Sequence, residues 1–132
     1  MAIIKTIIKL NHIEAIVKIV NDAASAASST ITLNTDLLKS NEDLSGATPA
    51  VHLSATETSV PPGGEISITR GGTVICNYFE NNYGFELPFG ADTQSPTSDI
   101  VVSFTSKGTI YLRLLKVAGF RPKFRPEQGV NL

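Results

Sequence analysis

The sequence predicts an all-β protein, built as a single antiparallel β-sandwich of jelly-roll or immunoglobulin-like topology, or as a small barrel, with about eight strands. Serine, threonine, isoleucine and valine are plentiful, while charged residues make up only 17% of the 132 positions, a balance that favours strands over helices. Short runs of alternating apolar and polar residues recur, separated by Gly, Pro and Asn turn signals. One β domain is therefore expected over residues 1–119, followed by a tail over residues 120–132.

The N-terminal segment, residues 1–10, is the ambiguous element. A cluster of isoleucines within it fits a helical stripe as well as a strand. The cluster comprises Ile3, Ile4, Ile7 and Ile8. Because β-branched residues are so dense here, we expect extended structure, and the segment is a candidate arm that docks on a partner through these isoleucines.

Further strands are predicted at residues 12–20, 29–33 and 51–56, where apolar and polar residues alternate. The residues expected on one face of the first are Ile13, Ala15, Val17 and Ile19. Those expected on one face of the third are Val51, Leu53 and Ala55. Between these strands, residues 34–36 predict a capped turn or a single 3₁₀ turn.

The glycine pair at residues 71–72 marks the clearest hairpin turn. A two-residue loop would place Ile68 opposite Ile75, whereas a three-residue loop would place Ile68 opposite Cys76. We favour the second register because it gives the strand pair a drier face. After this hairpin, a turn is predicted at residues 81–84 and a short strand at residues 85–89.

A second hairpin is predicted over residues 100–115, with Ser106-Lys107-Gly108 as its loop. In that register, apolar residues face each other along one side of the strand pair. The facing pairs are Phe104–Ile110, Val102–Leu112 and Ile100–Leu114. A strand pair with one dry face packs that face on the core.

The tail, residues 120–132, interleaves aromatic residues with cations, and its prolines pre-set an extended backbone. The candidate docking residues are Arg121, Lys123, Phe124 and Arg125. Three interpretations are open: an arm that lies on a neighbouring subunit, weak contact with nucleic acid, and a disordered end. We favour the arm, because the chain is basic at this end and acidic over residues 47–99, so that copies can meet head to tail.

An aromatic stretch at residues 77–89 is a candidate ligand loop. Its aromatic rings could stack on sugar faces while amides bond the hydroxyls. The residues concerned are Tyr78, Asn82, Tyr83 and Phe85. The alternative, which we favour, is that the aromatic side chains close one end of the sandwich.

The sequence contains no catalytic or metal-binding motif. His12 and His52 lie far apart, no nucleophile elbow or phosphate-binding loop is present, and the single cysteine, Cys76, cannot form an internal disulfide. We therefore expect no cofactor, no metal and no enzymatic activity. A net charge of −1 gives no overall attraction to nucleic acid. Lysines interrupt the apolar N-terminus, so neither a membrane helix nor a secretion signal is expected.

In three segments the chain resembles the small β-rich accessory virion proteins of tailed bacteriophages. The segments are His12–Val20 (HIEAIVKIV), Ser67–Ile75 (SITRGGTVI) and Ser98–Phe120 (SDIVVSFTSKGTIYLRLLKVAGF). These are strand-turn-strand patterns, so the resemblance supplies no functional residues. It implies a single sandwich or barrel, present in many copies on a symmetric lattice and without enzymatic residues.

The function expected from the sequence is that of a capsid decoration or cement subunit. Such a subunit would bind the major capsid protein or other virion proteins, form homo-oligomers or lattice arrays, and be found in virions assembled in the host cytoplasm. The alternative is a glycan- or receptor-binding module of a phage tail or fibre, acting through the candidate ligand loop.

Overall fold

In a computed structural model of the chain, two antiparallel β-sheets pack face to face with their apolar sides inward. This confirms the predicted all-β sandwich and rules out the closed barrel. The structure describes residues 3–11, 13–38, 42–44, 48–79, 82–86 and 97–122. The elements, in chain order, are β1 (Ile3–Leu10), β2 (Glu14–Asn21), β3 (Ala27–Ile31), α1 (Leu33–Asp36), β4 (Glu42–Leu44), β5 (Ala50–Ser59), β6 (Ile66–Arg70), β7 (Thr73–Tyr78), β8 (Asn82–Glu86), β9 (Ile100–Phe104), β10 (Gly108–Ala118) and β11 (Phe120–Pro122).

The strand order is that of a jelly roll. The five-stranded sheet runs β1-β2-β10-β5-β8, the four-stranded sheet runs β3-β9-β6-β7, and β4 pairs separately with β11. Without β1 and the β4–β11 pair, eight strands remain. Counted in chain order, the first of the eight pairs with the last (β2 with β10) and the second with the seventh (β3 with β9). The third pairs with the sixth (β5 with β8) and the fourth with the fifth (β6 with β7). This nested pairing distinguishes a jelly roll from an immunoglobulin-like sandwich.

Strand β2 shows how alternation builds the core. Its inward residues Ala15, Val17 and Ile19 are fully buried, as the sequence predicts. Ile13 is instead 69% exposed, because it precedes the strand. The core they join is drawn from both sheets and from α1.

Strand β5 departs from simple alternation. Val51 and Leu53 are buried as predicted, but the pairing with β10 shifts by one residue after Leu53. Ser54 is the extra residue, so Ala55 lies on the outer face, and Thr56 takes the buried position. The prediction for Ala55 is wrong because such a bulge reverses the faces of every later residue.

The glycine hairpin between β6 and β7 has the favoured pairing, since Ile68 lies opposite Cys76. Its turn, however, is the shorter one: Gly71 and Gly72 have φ of 60° and 81°, and the residues flanking them pair directly. The strand pair nevertheless contains one extra residue, because Ile75 forms a bulge within β7 and has no partner in β6. A two-residue turn and a bulge together therefore produce the register that a three-residue loop predicted.

The second predicted hairpin is wrong. Strand β9 lies in the four-stranded sheet and β10 in the five-stranded sheet, so residues 105–107 cross between the sheets and Gly108 is already the first residue of β10. The two runs of apolar residues are all buried, on the inner sides of opposite sheets. Their pattern is the same whether two strands pair edge to edge or pack across a core, so the sequence could not distinguish these arrangements.

Both candidate arms begin inside the domain. Residues 3–10 form the edge strand β1, hydrogen-bonded to β2 of the same chain, and so do not extend away as an arm. The first three tail residues, Phe120–Pro122, form β11 beside β4. The remaining tail residues, including Lys123, Phe124 and Arg125, lie outside the described residues.

Smaller shifts affect three other elements. The strand predicted at residues 29–33 is β3, two residues earlier, and the turn predicted at residues 34–36 is the single-turn helix α1. Residues 82–86 form β8, so the turn predicted at residues 81–84 is wrong where the structure describes it.

Candidate docking surface

The outer face of the five-stranded sheet carries apolar side chains that nothing in the described chain covers. Ile4 of β1 lies opposite Val20 of β2, and Ile8 forms a bulge beside Ile16. Ile4 and Ile8 are 55% and 51% exposed, and their two β2 neighbours are half-buried. We call Ile4, Ile8, Ile16 and Val20 the isoleucine patch.

Alternation along β1 divides the four isoleucines that the sequence singled out. Ile3 and Ile7 turn inward and pack against the core, so they hold β1 to the sandwich. Ile4 and Ile8 turn outward into the isoleucine patch. Two of the four candidate docking isoleucines, Ile4 and Ile8, are therefore exposed on the outer face of the sheet.

Beside the isoleucine patch, the sheet has a shallow depression of about 210 Å³. Its lining includes Ile16, Ala55, Glu57, Tyr111 and Arg113, and it is largely apolar at its floor. The register explains the grouping, because Arg113 lies opposite both Ile16 and Ala55, while Tyr111 lies opposite Glu57. Ile16 belongs to both the patch and the depression, and Ile8 lies beside it, while the Thr6–Lys18 pair separates Ile4 and Val20 from them on the same face.

Charged side chains on this face are held in ion pairs with one another. Glu14 accepts hydrogen bonds from Lys9 Nζ at 2.6 Å and from Arg113 Nε at 2.7 Å. These two cations, Lys9 first, hold the pKa of Glu14 below its usual value. Lys18 Nζ lies 5.7 Å from the centre of the Tyr111 ring. Arg113 therefore already has a partner, whereas Glu57 is exposed in the depression.

Lys5 closes the side of the sandwich next to the isoleucine patch. Its Nζ donates to the Thr30 carbonyl at 2.8 Å and to Asp36 Oδ2 at 2.6 Å, which links β1 to β3 and α1. Asp36 also accepts a hydrogen bond from the Thr32 backbone N–H at 2.8 Å. Nothing in the sequence pattern signals this role, since Lys5 stands out there only as a charge that interrupts an apolar segment.

A buried ion pair fixes the base of the tail. Lys116 Nζ donates to Glu42 Oε1 at 2.6 Å, and both side chains are 1% exposed. The same ammonium donates to the Asn11 carbonyl at 3.0 Å and lies 4.3 Å from the centre of the Phe120 ring. These contacts join β4, β10 and β11, and so fix the position of Phe120, where the tail segment begins. No local sequence signal marks a pair separated by 74 positions.

The candidate ligand loop is largely part of the sandwich. The Tyr78 hydroxyl lies 2.6 Å from Thr56 Oγ1, a buried residue of the opposite sheet, and burial raises the pKa of Tyr78 to about 12. Asn82, Tyr83 and Phe85 belong to β8, where Phe85 lies opposite Thr56. Tyr78 is thus a link between the two sheets.

Arg121, the first charged residue of the tail, lies in β11 opposite Asp43 of β4. Within the described residues, no three His, Cys, Asp or Glu side chains are close enough to hold a metal ion. The helix in the described part of the chain, α1, has four residues and is too short to cross a membrane.

Comparisons of the chain with protein-family models, curated proteins and solved structures found no match.

Proposed function

We propose that this chain is a structural protein of a bacteriophage virion, and specifically a capsid decoration or cement subunit. It docks on the major capsid protein through the outer face of its five-stranded sheet and contributes no catalysis. The observation that carries the proposal is the isoleucine patch, in which two isoleucines are each more than half exposed on the outer face of the five-stranded sheet.

Exposed apolar side chains that adjoin one another are typical of contact surfaces. Ile16 belongs to both the isoleucine patch and the apolar depression, while Thr6 and Lys18 separate Ile4 and Val20 from Ile16. Lys9 and Arg113, which lie beside Ile16, are both paired with Glu14. An apolar centre with a polar border is the usual composition of a protein interface. Because Ile3 and Ile7 anchor β1 from inside, the patch is held rigid before it binds, which lowers the entropy cost of docking.

Repetition on a lattice makes a modest contact sufficient. A single small patch supports only weak binding, but neighbouring subunits that also touch one another gain avidity. The jelly roll suits this role, since it presents rigid sheet faces without a flexible linker. Jelly rolls also occur in lectin domains, so fold alone does not decide the function.

The first test is the copy number of the chain in purified virus particles. Quantitative mass spectrometry of particles from the source of this sequence should find many copies per particle, in a fixed ratio to the major capsid protein. Absence from particles, or only trace amounts, would overturn the proposal.

The second test is rebinding to particles stripped of the chain. The double variant Ile4→Asp/Ile8→Asp should lower the affinity on the order of tenfold or more, because it places charge in an apolar contact. Ile13→Asp is the matched control, since Ile13 is 69% exposed but lies outside the patch. Equal binding by both variants would contradict docking through this face.

A second candidate function is glycan or receptor binding by a tail or fibre protein. The observation in its favour is Tyr111, whose ring lies in the open depression beside Glu57 and Arg113, an arrangement suited to stacking on a sugar. A glycan array separates the two functions. Specific signals that disappear in Tyr111→Ala would support the glycan function, whereas a decoration subunit should give none.

A further inference from the structure

Strand β7 forms one edge of the four-stranded sheet, because the strand order of that sheet ends there. Residues 73–79 (TVICNYF) contain no charge, no proline and no glycine. Val74 and Phe79 within this stretch are 54% and 63% exposed. An uncharged edge rich in β-branched and aromatic residues readily pairs with another strand.

The other edges whose side chains are described are protected against pairing. Strand β1 carries Lys5 and Lys9 and has a bulge at Ile8. Strand β3 is short and polar, and its Thr30 carbonyl accepts a hydrogen bond from Lys5. Charges, bulges and bonded side chains are the means by which edge strands avoid association. In β7, the bulge at Ile75 lies near the glycine turn and leaves the pairing of Cys76, Asn77 and Tyr78 regular.

We propose that β7 pairs antiparallel with β7 of a second copy, joining the two four-stranded sheets about a twofold axis. A second copy is the occupant that this strand favours, because an uncharged strand brings no like charges together when it meets itself.

Alternation along β7 specifies the register. Cys76 and Tyr78 lie on the inward face opposite Ile68 and Ile66, while Asn77 is exposed on the outer face. Pairing centred on Asn77 keeps inward residues opposite inward ones, with Cys76 opposite Tyr78 of the second copy. The pairing uses the same edge of both copies, so it closes as a dimer and does not propagate into a fibre.

This dimer is independent of the proposed function, since it uses the other sheet and leaves the isoleucine patch free. The regular stretch is short, so the dimer should be weak and depend on concentration. Static light scattering of the full chain, over about a hundredfold range of concentration, should show a monomer that converts to a dimer. Hydrogen exchange should slow at residues 73–79 as the dimer forms.

The decisive variant is Asn77→Lys, which places two like charges opposite each other at the centre of the pairing. It should weaken dimerisation on the order of tenfold or more. Ser28→Lys is the matched control, because Ser28 is an exposed residue of the opposite edge strand of the same sheet. Asn77→Asp, which places like charges of the opposite sign at the same position, guards against an effect peculiar to lysine, and far-ultraviolet circular dichroism should be unchanged in all three variants.

Four outcomes would overturn the proposal. They are a monomer throughout the concentration range, a dimer that survives Asn77→Lys and Asn77→Asp, a dimer that Ser28→Lys weakens equally, and open-ended aggregates in place of a dimer. None of these outcomes depends on particle binding, so failure of the dimer and failure of the docking proposal are separately visible.

Discussion

At the scale of single residues, Gly119 is the position where the backbone permits least change. It lies between β10 and β11 with φ of +90°, and a Cβ there would lie 2.4 Å from Pro49 Cα. The left-handed backbone and the close approach of another segment both require glycine. This residue therefore lets the chain turn from β10 into β11 directly against the segment before β5.

We predict that Gly119→Ala lowers the free energy of unfolding by about 3 kcal/mol or more, from left-handed strain together with overpacking. Gly63→Ala is the control, because Gly63 has φ of +84° but nothing lies within 4 Å of the position that its Cβ would take. Strain alone should cost the control about 1–2 kcal/mol. Urea denaturation of both variants measures the difference, and equal losses would show that the contact with Pro49 is relieved without cost.

At the scale of elements, the sequence predicts the strands better than their partners. Period-two alternation located β2 and β5, and the glycine pair located the β6–β7 turn, because both signals are local. The bulges at Ser54 and Ile75 left no such signal, and each changes which face or register follows. The separation of β9 from β10 depends on how the two sheets pack, which the pattern of a single strand cannot encode.

The candidate site shows the same limit. The isoleucines of β1 were visible as an apolar cluster, but only alternation within a formed sheet shows that Ile4 and Ile8 are the exposed ones. Strand β10 was recognised for its inward residues, while the depression arises from its outward residues, Tyr111 and Arg113, beside those of two neighbouring strands. A surface assembled from segments that are distant in the sequence can be predicted only once the strand order is known.

The small β4–β11 pair depends on the buried contact between Lys116 and Glu42. Lys116→Met should lower the free energy of unfolding by about 3–5 kcal/mol, because it removes the ammonium group that pairs with a carboxylate only 1% exposed. The double variant Lys116→Met/Glu42→Leu should recover most of that loss, since two apolar groups can replace a buried pair at little cost.

Arg113→Ala provides the comparison for that cycle. Arg113 pairs with Glu14, but its side chain is 50% exposed, so the loss should be at most about 1 kcal/mol. Chemical denaturation of the single and double variants measures all these values. A double variant as unstable as Lys116→Met would mean that two apolar side chains cannot replace the ion pair, and that the pair itself holds β11 in place.

At the scale of the whole molecule, the candidate contact surfaces lie on different parts of the sandwich. The isoleucine patch lies on the outer face of one sheet, the β7 edge belongs to the other sheet, and the tail starts from the β4–β11 pair. A subunit with separate surfaces can contact a lattice and a second copy at the same time. The tail is the third candidate contact, and its role can be tested separately from the fold.

Two truncations separate docking by the tail from folding. Deletion of residues 123–132 removes Lys123, Phe124 and Arg125 but retains β11, so the domain should still fold, with an unchanged far-ultraviolet circular dichroism spectrum. Binding to stripped particles should nevertheless weaken on the order of tenfold, because basic and aromatic contacts are lost. Deletion of residues 120–132 also removes β11 and the Phe120 ring that lies over Lys116, so it should lower stability by about 1 kcal/mol or more. If the shorter deletion binds particles as well as the full chain, the tail is not a docking arm, and the sheet face must supply the contact alone.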